Sequence, residues 1–367
     1  MQTLPPFQTE LYFAEFEFSC PHLLSSSDCQ TVTVAELLKL AGQQAETVLE
    51  VPLGYSPSWG DEALRQAIAS TYTALEASDI LVLSSPIEGL FLLSWAVPGD
   101  TIVLVPAYDA LKNLPAKVKP WSLRPTEDGW ALDFEALEAL ATDSTELVVV
   151  NFPHNPTGFQ PSPQEWERLA GWARQRDIRL FCDEMYRGLR RIGQPLLASA
   201  ADLDPGFVVL GGLSKAHGLP GLRAGWLATR DSDLLRRLHD LKLYTSICAP
   251  SPIEALARVA VLAQDLLFEK NCQLVESNAA LAQQFFARWP QLFRWRAPRA
   301  GSVGLVELLE SPEGAEAMCY NLARRHGIVL LPSTFLGFPD RYVRLGLGRD
   351  SFPQGLAAWE SVLREAL

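Results

Sequence analysis

Six short apolar runs, each closed by turn residues, constrain the fold of this chain more than any other feature. They are ILVLSS from residue 80, TIVLVPAY from 101, ELVVVNFPHNP from 146, IRLFCDE from 178, FVVLGGLSK from 207 and RAGWLAT from 223. Each is short and apolar, ends in turn residues and alternates with longer helical patterns, so each reads as a buried strand. Helical patterns such as GDEALRQAIASTYTAL, SPQEWERLAGWARQR and DSDLLRRLHDLKL lie between or beside them. This alternation implies an α/β fold with a mostly parallel central sheet and helices on its faces. In such sheets ligands gather at the carboxyl ends of the strands, so the polar residues closing each run are candidate site residues.

Beyond about residue 254 the texture changes to a long helical region, then two strand-like pieces, VGLVELL and YVRLGLG, and a final helix. A smaller α+β domain is expected there. The division read from the sequence is an N-terminal arm and start of the small domain over 1–45, a large domain over 46–270 and a C-terminal small domain over 271–367. With 367 residues, 48% of them hydrophobic, there is enough apolar material for two cores.

A formal charge of −12 disfavours nucleic acid and anionic membrane surfaces as partners, leaving a small molecule as the expected ligand. The six cysteines have no paired spacing and the five histidines do not cluster, so no metal site is expected and a reducing compartment is. The first residues, MQTLPPFQTELYFAEFEF, carry acids among aromatics and no basic leader, which points to a cytoplasmic protein.

The strand ends hold Asn155 in NFPHNPTG, Asp183 and Tyr186 in DEMY, and Ser214, Lys215 and Arg223 in SKAHGLPGLR. Each has an ordinary structural reading: turn residue, helix cap, core phenol, paired amine, surface ion pair. Lys215 could equally be a nucleophile whose pKa is depressed. All of these types in this order at strand ends is not a chance pattern.

The motifs N-x-P-H-N-P-T-G, D-E-x-Y and S-K-x(7)-R resemble those of the class I/II aminotransferases, pyridoxal 5′-phosphate (PLP) enzymes of fold type I, and the resemblance covers nearly the whole chain. It implies a homodimer with sites at the subunit interface. It also implies that Lys215 holds PLP as a Schiff base and shuttles a proton, that Asp183 pairs with the pyridine nitrogen, and that Tyr186 and Asn155 donate to the cofactor's phenolate oxygen. Ser214 and Arg223 are expected at the phosphate, Tyr108 (in PAY) against the ring, Tyr55 (in LGYSPSWG) at the partner's phosphate, and Arg344 (in RLGLG) at the substrate α-carboxylate. For Tyr108 a packed strand-end residue, and for Arg344 a strand-edge salt bridge, are the structural alternatives.

Two departures stand out. The phosphate-loop segment LSSPIEGL has Ser85 and Pro86 where glycine is usual, so the Ser85 hydroxyl and the Ile87 amide are expected to serve, and Gly212 stands where relatives carry a phosphate-binding serine. Near the N-terminus LLSSSDC replaces a glycine segment, similar to a branch of PLP-dependent cyclases of hydroxylated arginine, which makes Ser26 and Ser27 candidate substrate contacts. A helix N-cap leading into VTVAELLKLAG is the alternative there.

Transamination of an L-amino acid is the leading function, cyclisation by the same first steps the second, and a non-enzymatic regulator the third. The segment KLYTSICAP has no arginine for a distal carboxylate, whereas Glu10, Glu15 and Glu17 flank the aromatic arm. A long cationic substrate is therefore expected over aspartate or glutamate, with Glu10 as its partner; a solvated acidic arm is the structural alternative for these three acids.

Overall fold

In the computed structural model, residues 4–366 are described. A seven-stranded sheet carries the order Ile80–Leu83, Gly225–Ala228, Val208–Gly212, Arg179–Asp183, Thr145–Asn151, Asp100–Val105 and Lys117–Ser122. Neighbours pair in parallel except Gly225–Ala228, which runs antiparallel to both of its neighbours. All six apolar runs read from the sequence supply strands of this sheet.

The reason they read as continuous apolar runs is that both faces are covered. Along Ile80–Leu83 the side chains alternate: Ile80 and Val82 enter one core cluster, Leu81 and Leu83 the other, with helices packed over each. The seventh strand, Lys117–Ser122, was not read from the sequence. Its residues, KVKPWS, include two lysines and a proline, which the sheet accepts because this edge pairs on one side only, with Asp100–Val105.

A second sheet of four antiparallel strands runs Phe293–Trp295, Val303–Leu308, Tyr342–Gly346, Leu331–Pro332. Its core gathers Phe285, Phe286, Phe293 and Trp359, and the N-terminal helix Gln8–Phe16 adds Tyr12 and Phe16 to the same cluster. His22–Leu23 pairs in parallel with Ile328–Val329, so the chain's beginning is stitched to its end.

The long helical region is two helices, Ser251–Leu262 and Gln264–Ala287, separated at Ala263. The second spans 24 residues, about 36 Å at 1.5 Å per residue, and places Leu267 in the core of the large sheet and Phe285 in that of the small one. No helix among the described residues is long and apolar enough to cross a membrane.

Trp359 is fully buried, with Phe285 and Phe293 rings at 5.3 and 5.2 Å. Trp359→Ala is expected to cost about 3–5 kcal/mol of stability, read as a lower urea midpoint.

Candidate active site

Three adjacent strand ends build the floor of the site. Asn151 and Asp183 are register partners on neighbouring strands, and Asn151 Nδ2 donates to the Asp183 carbonyl at 2.7 Å. The other end of the same amide, Oδ1, accepts from the Asn155 N–H at 2.7 Å. One side chain thus fixes both the Asp183 strand end and the turn bearing Asn155. Asp183 caps no helix: its Oδ1 takes the Met185 N–H at 3.0 Å in a tight turn that delivers Tyr186 to the same side. Burial pushes the Asp183 carboxyl up to about 6, with the Met185 N–H and the Lys215 charge pulling the other way.

The cationic end is Arg344, 1% exposed on the small sheet. Its Nη1 donates to Asn155 Oδ1 at 3.2 Å and its Nη2 to the Ser25 carbonyl at 2.8 Å, while Nε has no partner. Among the described residues no acid lies in salt-bridge range of it, so the strand-edge salt bridge is ruled out. Lys215 Nζ donates to Ser27 Oγ at 2.9 Å, and burial holds its amine below the ordinary lysine value. The serine loop is no helix cap; Thr33 and Glu36 form the capping box of the helix Val34–Leu40 instead. Ser26 faces the small sheet with its main chain, against Gly346, and only Ser27 of the pair sends its hydroxyl to the lysine.

The end expected to take the phosphate is the N-terminus of the helix Pro86–Ala96, where Pro86 has no N–H and the Glu88 N–H already donates to the Ser85 carbonyl at 3.1 Å, so the Ile87 N–H and the helix dipole are what this terminus offers an anion. Ser85 is the cap residue, and its Oγ accepts from Arg223 Nη2 at 2.7 Å. Arg223 adopts a left-handed conformation, φ 49°, which turns it back toward the helix. Ser214 Oγ is buried without a partner. The unusual residues at 86 and 212 are a matched pair: a Cβ at Gly212 would stand 2.9 Å from Pro86 Cγ, and one at Gly225 2.8 Å from the same atom. The proline ring fills the space that side chains at 212 and 225 would need.

Tyr108 donates to Glu10 Oε1 at 2.6 Å and has the Phe7 ring at 5.2 Å, so the N-terminal helix covers this corner. Glu15 turns away to Arg324, whereas Glu17 stays near Asp28 and Lys215, its carboxyl raised by burial and by the negative charge of Asp28 and Glu10. Tyr55 is 92% exposed and is not brought to this chain's own site. Lys242 is buried and holds the Ser58 and Ile247 carbonyls, so it is unavailable to a ligand. A cavity of about 500 Å³ lined by Glu184, Arg187, His217 and Phe268 contains none of the residues expected from the sequence.

Sequence reasoning gave Asn151 no role of its own. It opens the same NFPHNPTG motif, and its position at a strand end, four residues before Asn155, was the available signal.

The assembled groups suit a small phosphorylated aldehyde. Among the described residues Ser214 Oγ and Tyr186 Oη are buried without partners, beside a buried acid, Asp183, and a buried amine, Lys215, a set of polar groups into which such a molecule would fit. The Pro86–Gly212 match gives a direct test. Gly212→Ser alone should cost about 1–3 kcal/mol by overpacking, and combination with Pro86→Ala should recover part of it in a double-mutant cycle of thermal unfolding.

The family model for aminotransferase class I and II matches residues 23–351. Capreomycidine synthase of Streptomyces vinaceus is 32% identical over 368 residues, covering 97% of this chain and 93% of that protein. The arginine–pyruvate transaminase of Pseudomonas aeruginosa is 28% identical, covering 89% and 85%. Among solved structures, a PLP-dependent aminotransferase from Streptococcus suis superposes with a TM-score of 0.91 at 26% identity over 99% of both chains. The PLP-dependent cyclase OrfR superposes with a TM-score of 0.92 at 29% identity, over 100% of this chain and 99% of that one. The chain belongs to the class I and II aminotransferase family, and its cofactor is pyridoxal 5′-phosphate.

Proposed function

We propose that the protein moves the amino group of an L-amino acid to a 2-oxo acid, with Arg344 binding the α-carboxylate and Lys215 moving the Cα proton. The observation that carries an amino-acid substrate is the buried Arg344 guanidinium, held among the described residues only by an amide oxygen and a main-chain carbonyl. Dipoles of this kind offset part of its desolvation and leave room for a carboxylate to supply the missing charge.

PLP, when bound, supplies the electron sink that lets a Cα–H bond break. The remaining work falls to the chain. Asp183, as an anion, holds a proton on the ring nitrogen; its raised carboxyl returns toward the ordinary range once that cation faces it. Tyr186 and Asn155 hold the ring oxygen, and Ser85, the Ile87 amide, Ser214 and Arg223 hold the phosphate. Lys215 accepts the Cα proton as a neutral amine, a form that burial favours.

The proposal includes a homodimer in the cytoplasm. Leu53, Tyr55, Trp95 and Tyr244 are between 66% and 92% exposed in the single chain, and a second copy placed over them would bring Tyr55 to the neighbouring phosphate. Large exposed apolar side chains of this kind are enriched at subunit interfaces.

The substrate proposed is an amino acid with a long cationic side chain. Glu10 and Glu17 lie close enough to Lys215 to affect or feel its charge, and no arginine stands in the 242–250 segment. A second reading, cyclisation of a hydroxylated arginine-type amino acid, is favoured by the serine loop and by the similarity to capreomycidine synthase. Mass analysis of products from a panel of amino acids separates the two, because repeated transamination requires an added 2-oxo acid and cyclisation does not.

Borohydride reduction should leave the pyridoxyl group on the peptide containing Lys215, and a label on another lysine would refute the assignment. Arginine-like amino acids should shift the cofactor absorbance at lower concentration than aspartate, and Glu10→Gln should weaken arginine binding about tenfold while leaving aspartate unchanged. Equal binding of arginine and aspartate would remove the substrate class.

A further inference from the structure

The hydroxyl of Ser27 stands 2.9 Å from Lys215 Nζ, and the loop that carries it is tied down on both sides. The Leu24 carbonyl accepts the Gly346 N–H at 2.7 Å, the Ser25 carbonyl accepts Arg344 Nη2 at 2.8 Å, and the Ser27 carbonyl accepts Ser302 Oγ at 2.6 Å. Arg349 holds the Asp28 carboxylate at 2.7 Å, and the Cys29 N–H donates to the main-chain carbonyl of Lys215 itself at 3.4 Å. Even the missing side chain at Gly346 belongs to this arrangement, since a Cβ there would stand 1.9 Å from the Ser26 carbonyl oxygen. None of these ties uses the Ser27 hydroxyl. The loop is therefore held by its main chain and by flanking side chains, which leaves that one hydroxyl for the lysine.

We propose that Ser27 is a positioning residue for Lys215: whenever the amine is free, the Ser27 hydroxyl accepts a hydrogen bond from Nζ and holds the protonated amine in the site beside Tyr186. The inference rests on Lys215 being the cofactor lysine and adds a group that acts on it. An acceptor facing an ammonium favours the charged form. Burial of Lys215 acts in the opposite direction, as does Arg344, while Asp28, Glu10 and Asp183 favour the charge. Glu17, Cys29 and Tyr186 also face this space. None of the acids hydrogen-bonds Nζ; Ser27 supplies the one hydrogen bond it has among the described residues. The Tyr186 phenol is held neutral by burial, and the Ser27 hydroxyl acts against that rise, so the serine touches the electrostatics of both residues. It does so without a charge of its own, and the lysine keeps its proton until a substrate or cofactor atom requires the neutral amine.

The test uses full-length protein freed of cofactor and mixed with PLP at a series of pH values. Only the neutral amine captures the aldehyde, so the rate of growth of visible absorbance rises with pH through a midpoint that reports Lys215. Removing the acceptor should move that midpoint downward. For Ser27→Ala a shift of about one pH unit is expected, the scale of one hydrogen bond to a charged group. Ser27→Thr, which keeps the hydroxyl, should restore the midpoint, and the thermal midpoint should be the same for all three proteins. If Ser27→Ala does not fold, Ser27→Cys, a weaker acceptor of similar shape, should shift the capture midpoint in the same direction. An unmoved midpoint in a folded Ala or Cys variant, or an equal shift in Ala and Thr, overturns the proposal. A borohydride label found away from Lys215 refutes the underlying assignment instead, so the two failures are distinguishable.

Discussion

The guanidinium of Arg344 is buried with no acid in salt-bridge range among the described residues, and three distant parts of the chain are arranged around that fact. Removing such a charge from water costs several kcal/mol unless dipoles or a counter-charge replace the lost hydration. Here the replacement is incomplete: Asn155 gives an amide oxygen, Ser25 a carbonyl, and the Phe13 ring lies 5.8 Å from the guanidinium carbon. Asn155 is itself oriented through Asn151, which also holds the Asp183 strand end. Arg344 is thus linked through three successive hydrogen bonds, by way of Asn155 and Asn151, to the acid proposed for the ring nitrogen.

The charges around the lysine are sorted by what holds them. Asp28 is paired with Arg349, and Glu10 accepts a hydrogen bond from the Tyr108 phenol, and neither is within hydrogen-bond distance of the amine. Asp183 is held by a main-chain N–H. Lys215 feels their negative field but among the described residues bonds only a neutral hydroxyl, an arrangement that lets it change protonation state without breaking an ion pair. A direct carboxylate contact would have strengthened its hold on the proton considerably.

Much of the fold was legible because burial on both faces of the sheet leaves a strong signature, and the motifs at the strand ends are dense in polar types that a core does not otherwise use. What escaped had weaker signatures for physical reasons. Lys117–Ser122 lies at an edge and carries lysines and a proline that a central strand would exclude. The coupling of Pro86 with Gly212 and Gly225 joins residues more than a hundred positions apart through shape alone, which leaves no periodicity. Ser27 was visible as part of a serine run, but which of three adjacent hydroxyls reaches the lysine depends on how the small sheet grips the loop. Thr33 likewise took the capping role offered to the serines, because it stands immediately before the helix and has Glu36 three residues on.

The stitching of the N-terminal loop to the last strand also sets an order of assembly. Ser25 and Arg344 are 319 positions apart, yet their contact is part of what holds Ser27 against the lysine. During synthesis the residues of the large sheet, ending at Ala228, leave the ribosome well before Arg344 exists. The serine loop is made first, and its contacts with Arg344 and Gly346 must wait for the final strand. Contacts of such long separation close late and slowly. The strands that end at Asp183 and lead into Lys215 are therefore synthesised before the residues that hold the Ser27 loop against the lysine.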